Sequence, residues 1–522
     1  MVPASRRVLL IAFDAAEPDL VERWLADGCL PNLRRLRQSG RYGRLASSAR
    51  WLSGSPWPTF FTGRSPADHG IYEFLQWRAE RMEARRPTPE WLPARPFWRD
   101  LGREGRRAIV IDVPSTYRPE PFDGLEISGF ASHDFLAPPC SYPPDLMNWA
   151  RRKGGSSPLG PEIHRHQSPR ELLDLRDRLC AATERVGALA EQLMRGHDWD
   201  LFALAFGATH RGGHKLWDQS SAEGTPSEAE ADALKTALKE VYIACDRALG
   251  RLVECAGPGV TVLVCSMHGM GPNTSRVAIL PEMLARTLDG GVPDGVGESG
   301  PKAALQRIRH GLPAAWRSGL KAKLPLAVQD RLSAFWRVDG VDWRVVRAQS
   351  LIADHQGYIR INRRGREVQG TVEPGAAYDA LCARIADGLL SFVDADTGAP
   401  VVDEVVRADR LFPAGERLDR LPDLIVRWSD SPACRHRAVR SPHFGTLAWP
   451  APGKNPDARS GNHRAEGFLL ARGPGIDGGG TMPQADILDL APCVRALLGL
   501  APDPAMAGAP LAALMPAVPT DA

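Results

Sequence analysis

Strand-length runs of uninterrupted apolar residues recur along the chain, each separated from the next by a longer stretch of helical periodicity. No other feature restricts the fold as tightly. Residues 8–13, VLLIAF, precede an amphipathic stretch at 19–27 in which Leu20 and Trp24 share one helical face. The alternation returns three times: residues 108–113 follow PFWRDLGREGRR, 201–206 follow the periodic segment 168–195, and 260–265 follow 227–254. A strand apolar on both faces is a strand covered on both faces. The pattern therefore predicts an α/β fold with a mostly parallel central sheet and helices on both sides. In such sheets chemistry gathers beyond the carboxyl ends of the strands, which is where Asp14, the segment after Phe206 and the segment after Cys265 fall.

Residues 290–350 break the alternation, dividing a core at 1–289 and 351–522 from an insertion. The core is expected to resume with strands at 358–361, 424–428 and 467–471 and helices at 376–392 and 485–498. Between residues 301 and 350 stand ten Lys/Arg against three Asp/Glu, with Trp316, Trp336 and Trp343 interleaved. That composition suits a helical basic cap whose charged face is solvated, attracts an anionic substrate or docks a peripheral anionic partner. Elsewhere charge is balanced: 65 Lys+Arg against 62 Asp+Glu leave +3 overall, which excludes a surface built for a nucleic acid duplex. The nine cysteines are scattered singly with no CxxC pair, against both a disulfide framework and a zinc ribbon. Acidic Asp14 directly after the first apolar run, and no run approaching membrane-spanning length, argue against a signal peptide or transmembrane helix. The expected compartment is the cytoplasm.

Four histidines stand apart from the rest. His210 and His214, four apart in ATHRGGHKLW, follow one strand, His268 in CSMHGMGPN follows another, and His463 sits in the turn RSGNHRAEG. Imidazoles at one sheet edge can approach a common point, and three can hold Zn²⁺ with a coordination position left open. A lone histidine is more often a structural hydrogen-bonder; the shared location is what singles these out. Asp14 ends the first strand at the same edge, where it could equally be a capping residue. The Gly-, Ser- and Pro-rich segment LSGSPWPTFFTGRSPADHGIYEF offers Ser53 and Ser55 as nucleophiles, each needing a base or a cation to activate it. Trp57 is either core or an apolar wall for a leaving group, and Arg366 in INRRGRE either a solvated turn residue or a contact for an anionic substrate.

Several blocks together resemble the type I phosphodiesterase/nucleotide pyrophosphatase branch of the alkaline phosphatase superfamily. They are the first strand ending in Asp14, CLPNLRRLRQSGRYGRL, TFFTGRSPADHGIYEF, FGATHRGGHKLW, SMHGMGPN, GYIRINRRGREVQG, LPDLIVRW, and GNHRAEGFLLARGPGI with ADILDLAPCVRALLGL. The resemblance implies an alkaline-phosphatase-like core and a metal-dependent hydrolase of small phosphate esters: phosphodiesters, nucleotide pyrophosphates or monoesters. It implies Ser53, rather than Ser55, as a nucleophile that forms a covalent phosphoserine-type intermediate. It also implies Asp14, Ser53 and His268 on one metal and His214 and His463 on the other.

Besides Pro56, which stands where nucleotide pyrophosphatases of this group often have an asparagine that binds a phosphate oxygen, two positions depart from the family pattern. His210 stands where an aspartate ligand is usual, and Met267 replaces the aspartate of Ser-Asp-His-Gly. The first change completes a His210, His214, His463 trio suited to Zn²⁺, with Mn²⁺ as the alternative. The second puts a neutral thioether where a hard carboxylate is needed. With Asp14 the remaining carboxylate, two dications would repel each other with little compensation. One tight Zn²⁺ and a weaker second site are expected. The competing reading is a non-catalytic or repurposed member in which the three-histidine zinc site organises a binding pocket.

Overall fold

The computed structural model describes residues 6–92, 94–133, 136–289, 343–476 and 478–515, with residue 328 alone between 290 and 342. The expected basic cap lies outside the described residues except for residue 328 and residues 343–350. Among the described residues no helix is long and apolar enough to cross a membrane, and all nine cysteines are unpaired.

The central sheet is built on β1 (Val8–Phe13), β2 (Arg41–Ala46), β3 (Ala108–Ile111), β4 (Gly124–Ser128), β5 (Cys140–Tyr142), β6 (Leu201–Phe206) and β7 (Thr261–Ser266). A short strand β8 (Gly269–Pro272) pairs outside it with β9 (Gly461–Arg464), and β10 (Glu466–Arg472) returns to it. Across the sheet the order is β2-β10-β7-β1-β6-β3-β4-β5. β1 lies between β6 and β7, parallel to both, with Phe13 beside Phe206 and Ala12 beside Cys265. The mostly parallel sheet is thus as expected, with β10 running antiparallel between β7 and β2.

Period-two geometry sends alternate residues of β1 to opposite faces, and both faces are covered. Leu9, Ile11 and Phe13 join the apolar cluster beneath the helices Pro169–Gly196 and Glu228–Ala256, while Val8, Leu10 and Ala12 join the cluster containing Phe60, Phe61 and Trp98. The two long helices start where their sequences say they should. Ser168 with Glu171, and Ser227 with Glu230, form capping boxes that satisfy amides left over at the first turn.

The strands Gly357–Ile361 and Leu424–Trp428 occur where expected but do not join the central sheet. They pair with Ala348–Ser350 and Val402–Arg407 in a separate four-stranded antiparallel sheet with its own apolar cluster, covered by Leu280–Asp289 and Ala376–Leu390. An apolar run of strand length states that a strand is buried and leaves open which sheet buries it.

Arg366 belongs to this second layer. Its guanidinium is bidentate to Asp423, at 2.8 and 2.7 Å, and its Nε donates to Glu367 at 2.9 Å. Glu367 also pairs with the buried Arg360 at 2.7 Å. Removing one member strands a buried charge, so Arg366→Met is expected to cost about 3–5 kcal/mol of folding stability in urea denaturation. His69 is likewise structural: its Nδ1 accepts from the Ile71 amide at 3.0 Å and its Nε2 lies 3.0 Å from Thr59 Oγ1. Burial pushes its pKa down to about 3. The unfolded chain therefore binds that proton more readily, so the contribution of His69 to stability is complete above about pH 6.5 and is lost as pH falls towards 3. Urea midpoints between pH 6.5 and 4 should fall less steeply in His69→Asn than in the native protein.

Candidate metal centre

Three strand ends deliver the site. Asp14 follows β1 with its amide bonded to the Phe206 carbonyl, so its side chain leaves the sheet beside the end of β6. Helix Ala208–Leu216 begins two residues after β6 and carries His210 and His214 at i and i+4, the spacing that stacks two side chains on one helical face. His268 follows β7, and pairing of β8 with β9 sets His463 opposite Met270. This ribbon lies close to the helix because glycines meet at the contact: a Cβ on Gly461 would come within 2.2 Å of the Gly213 carbonyl oxygen, and one on Gly213 within 2.8 Å of Met270 Cγ.

All four imidazoles are buried. The Nε2 of His210 lies 3.2 Å from that of His214 and 2.9 Å from that of His463. An ion with bonds of about 2.0–2.1 Å in tetrahedral geometry spaces its nitrogens by about 3.3 Å, so these separations suit a shared cation. The outward nitrogens determine the tautomers. His210 Nδ1 donates to Asp14 Oδ2 at 2.8 Å, His214 Nδ1 to the Gly461 carbonyl at 2.9 Å and His268 Nδ1 to the Gly269 carbonyl at 3.1 Å. Each neutral ring then keeps its Nε2 lone pair for a cation. Among the described residues His463 Nδ1 is buried with no hydrogen-bond partner.

Protonation would oppose this arrangement, and the site resists it. Burial, with the positive potential of neighbouring groups, holds His214 and His463 well below the usual histidine range, and burial with His210 brings His268 down to about 4. Burial raises Asp14, but its contact with His210, aided by His268 and the Trp57 hydrogen bond, outweighs it and holds the carboxyl below its ordinary range.

Asp14 meets no further ligand group within this set: Oδ2 accepts from His210 and Oδ1 from the Trp57 indole N–H at 2.9 Å. Trp57, read from sequence as core or a wall, is a hydrogen-bond donor into the centre. Met267 is fully buried in the apolar cluster below the sheet. Ser53 lies in the turn before the helix Pro56–Thr62, with its Oγ 3.4 Å from both Glu73 Oε2 and Tyr358 hydroxyl, and its amide donating to that hydroxyl at 3.0 Å. Glu73 Oε2 in turn accepts from the Asp354 amide at 3.0 Å, and the Asp354 carboxylate lies within 4.8 Å of ligand nitrogens of His214 and His463. Ser53 is therefore connected to the histidines through Glu73 and Asp354. Ser55 is turned away, donating to the Leu52 carbonyl and Ser48 hydroxyl at 2.7 Å.

Sequence reasoning missed His133, Asp354 and Glu73. The ring of His133 stands 4.2 Å from that of His210, its Nδ1 accepting from Arg211 Nε at 3.1 Å. Asp112 fixes the loop that carries it by accepting the Phe130 and Ala131 amides at 2.7 Å each. GFASHDF also follows a sheet strand, but that strand reads GLEIS, too polar to register as an apolar run. Glu73 lies inside the quoted TFFTGRSPADHGIYEF block, and only the fold shows its proximity to Ser53. Asp354 arrives from the second sheet, which no periodicity connects to the site.

The sequence profile of the family described as Type I phosphodiesterase / nucleotide pyrophosphatase matches residues 8–431. No curated protein sequence matches the chain. Among solved structures, the chain is similar to phosphonoacetate hydrolase from Sinorhizobium meliloti 1021 in complex with phosphonoformate, at 15% identity over 95% of each chain with a TM-score of 0.51. It is also similar to murine ectonucleotide pyrophosphatase / phosphodiesterase 5 in complex with AMP, at 13% identity over 96% of each chain with a TM-score of 0.48. At such identities the first likeness is one of fold.

His214→Ala removes a nitrogen donor while leaving the Asp14 and His210 pair in place. Zinc affinity, read by competition with a chelating dye, should fall by more than about 100-fold, beyond the range typical of losing an outer partner.

Proposed function

The chain belongs to the type I phosphodiesterase / nucleotide pyrophosphatase family, and on that premise we propose that it is a zinc-dependent hydrolase of small phosphate esters. The observation that carries this reading is that the Nε2 atoms of His214 and His463 lie 3.2 and 2.9 Å from that of His210, with Ser53 linked to the cluster through Glu73 and Asp354. His210, His214 and His463 would hold the ion, and their neutral, nitrogen-only donor set favours Zn²⁺ over Mn²⁺. Bound there, the ion supplies Lewis acidity that polarises a phosphoryl oxygen.

The chain's own residues account for the proton movements. Ser53 Oγ is the nucleophile, and Glu73 Oε2 at 3.4 Å is the acceptor for its proton. As the Ser53 oxygen bonds to phosphorus, the ester P–O bond breaks and the leaving oxygen takes the proton from Glu73. A water then attacks the phosphoserine, returning its proton through Glu73 to Ser53. The Tyr358 hydroxyl accepts from the Ser53 amide, which orients the tyrosine proton towards Ser53 Oγ or an oxygen of the substrate. The burial of these groups excludes bulk water and strengthens each of these contacts.

A second reading, a binding protein organised around zinc, is favoured by one observation. The Asp354 carboxylate stands close enough to His214 and His463 to close the coordination sphere, as in structural zinc sites. Hydrolysis of bis-p-nitrophenyl phosphate and p-nitrophenyl phosphate by zinc-loaded protein separates the two readings. The hydrolase reading expects turnover that falls at least about 10³-fold in Ser53→Ala with zinc content unchanged. Turnover indifferent to Ser53→Ala removes that serine from the mechanism, and no turnover at all favours the binding reading.

A further inference from the structure

The family resemblance brings two cations, and the groups that would hold the second are Asp14, Ser53, His268 and the residue at position 267. Position 267 is methionine, packed into the apolar cluster beneath the sheet. The Ser53 hydroxyl is in contact with Glu73 and Tyr358. Both oxygens of Asp14 accept N–H donors, from Trp57 at 2.9 Å and from His210 at 2.8 Å. His268 keeps its Nε2 available, and its ring groups with those of His210 and His463 rather than with Asp14 and Ser53.

The decisive group is His210. An aspartate at this position would end near the helix, whereas the imidazole spans from the Asp14 carboxylate to the Nε2 cluster and brings an N–H to the oxygen a second cation would require. Trp57 fixes the other oxygen and so prevents the carboxylate from turning. Resting on the zinc-centre reading above, we propose that this chain has a mononuclear centre, in which Asp14 touches no metal and acts as the outer partner of His210.

The chemistry is self-consistent. A carboxylate accepting from Nδ1–H sets the tautomer and makes Nε2 the better donor, which is how outer carboxylates tune zinc histidines. Asp14 partly compensates one dication and Asp354 is already paired with Arg459, whereas a second dication, unaccompanied by the carboxylate missing at 267, would raise the charge of a buried site where repulsion is poorly screened.

Metal stoichiometry tests this without reference to catalysis. Full-length protein is saturated with Zn²⁺, freed of excess and analysed by plasma mass spectrometry, with calorimetric titration of the metal-free form. The native protein should bind one ion per chain, and Asp14→Asn should still bind one, with affinity weakened about 10–100-fold. His210→Asp combined with Met267→Asp frees Asp14 and restores the missing carboxylate, and should bind two. Two tight ions in the native protein, or Asp14→Asn with undiminished affinity, would overturn the proposal; no tight ion would overturn it together with the zinc-centre reading. One ion in a protein that hydrolyses neither nitrophenyl ester would leave the mononuclear centre standing and refute the hydrolase reading alone.

Discussion

The hydrogen bond from His210 Nδ1 to Asp14 is the contact on which the centre depends. It joins the end of the middle strand to the helix that follows its neighbour, and it decides which nitrogen of His210 faces inward. Reversed, with Nδ1 lacking its proton, the same ring would point an N–H at His214 and His463 and repel a cation. A buried acid next to a buried base thus converts sheet topology into a defined set of lone pairs. The parallel adjacency of β1 and β6 at the sheet centre matters to function because it brings these two residues together.

Around that contact lies an alternating shell of charges. Arg459 bridges Asp354 at 2.5 Å and Glu162 at 3.0 Å. Burial raises Glu162, but His133 and Arg459 outweigh it and hold the carboxyl well below its usual range, so it remains a counter-charge. Arg211 fixes His133 by donating to its Nδ1. Cations next to the histidines disfavour their protonation, and anions one layer further out balance those cations. The imidazoles are thereby kept neutral without being starved of charge compensation, as a cation-binding site at neutral pH requires.

Much of this was legible beforehand because it follows local rules. The runs at 8–13 and 201–206 became strands with the same bounds, and the periodic segments 168–195 and 227–254 became the two long helices. The criterion of a histidine beyond a strand end selected four imidazoles that do come together. What escaped is non-local. Which oxygen of Asp14 meets which donor depends on the length of the His210 side chain, and the assignment of 357–361 and 424–428 to a second sheet depends on partners distant in sequence. Asp354 belongs to that sheet's loop, so its arrival beside His214 could be seen only once the two layers were packed. A polar strand hid His133, since the eye for apolar runs passes over GLEIS.

The most direct test of the account is a crystal structure of the zinc-loaded protein with anomalous data collected at the zinc edge. The account predicts a single strong peak bonded to the Nε2 atoms of His210, His214 and His463, with Asp14 still accepting from His210 Nδ1 and Trp57 Nε1. A peak bonded to the Asp14 carboxylate, or rings around a space that zinc does not enter, would contradict it.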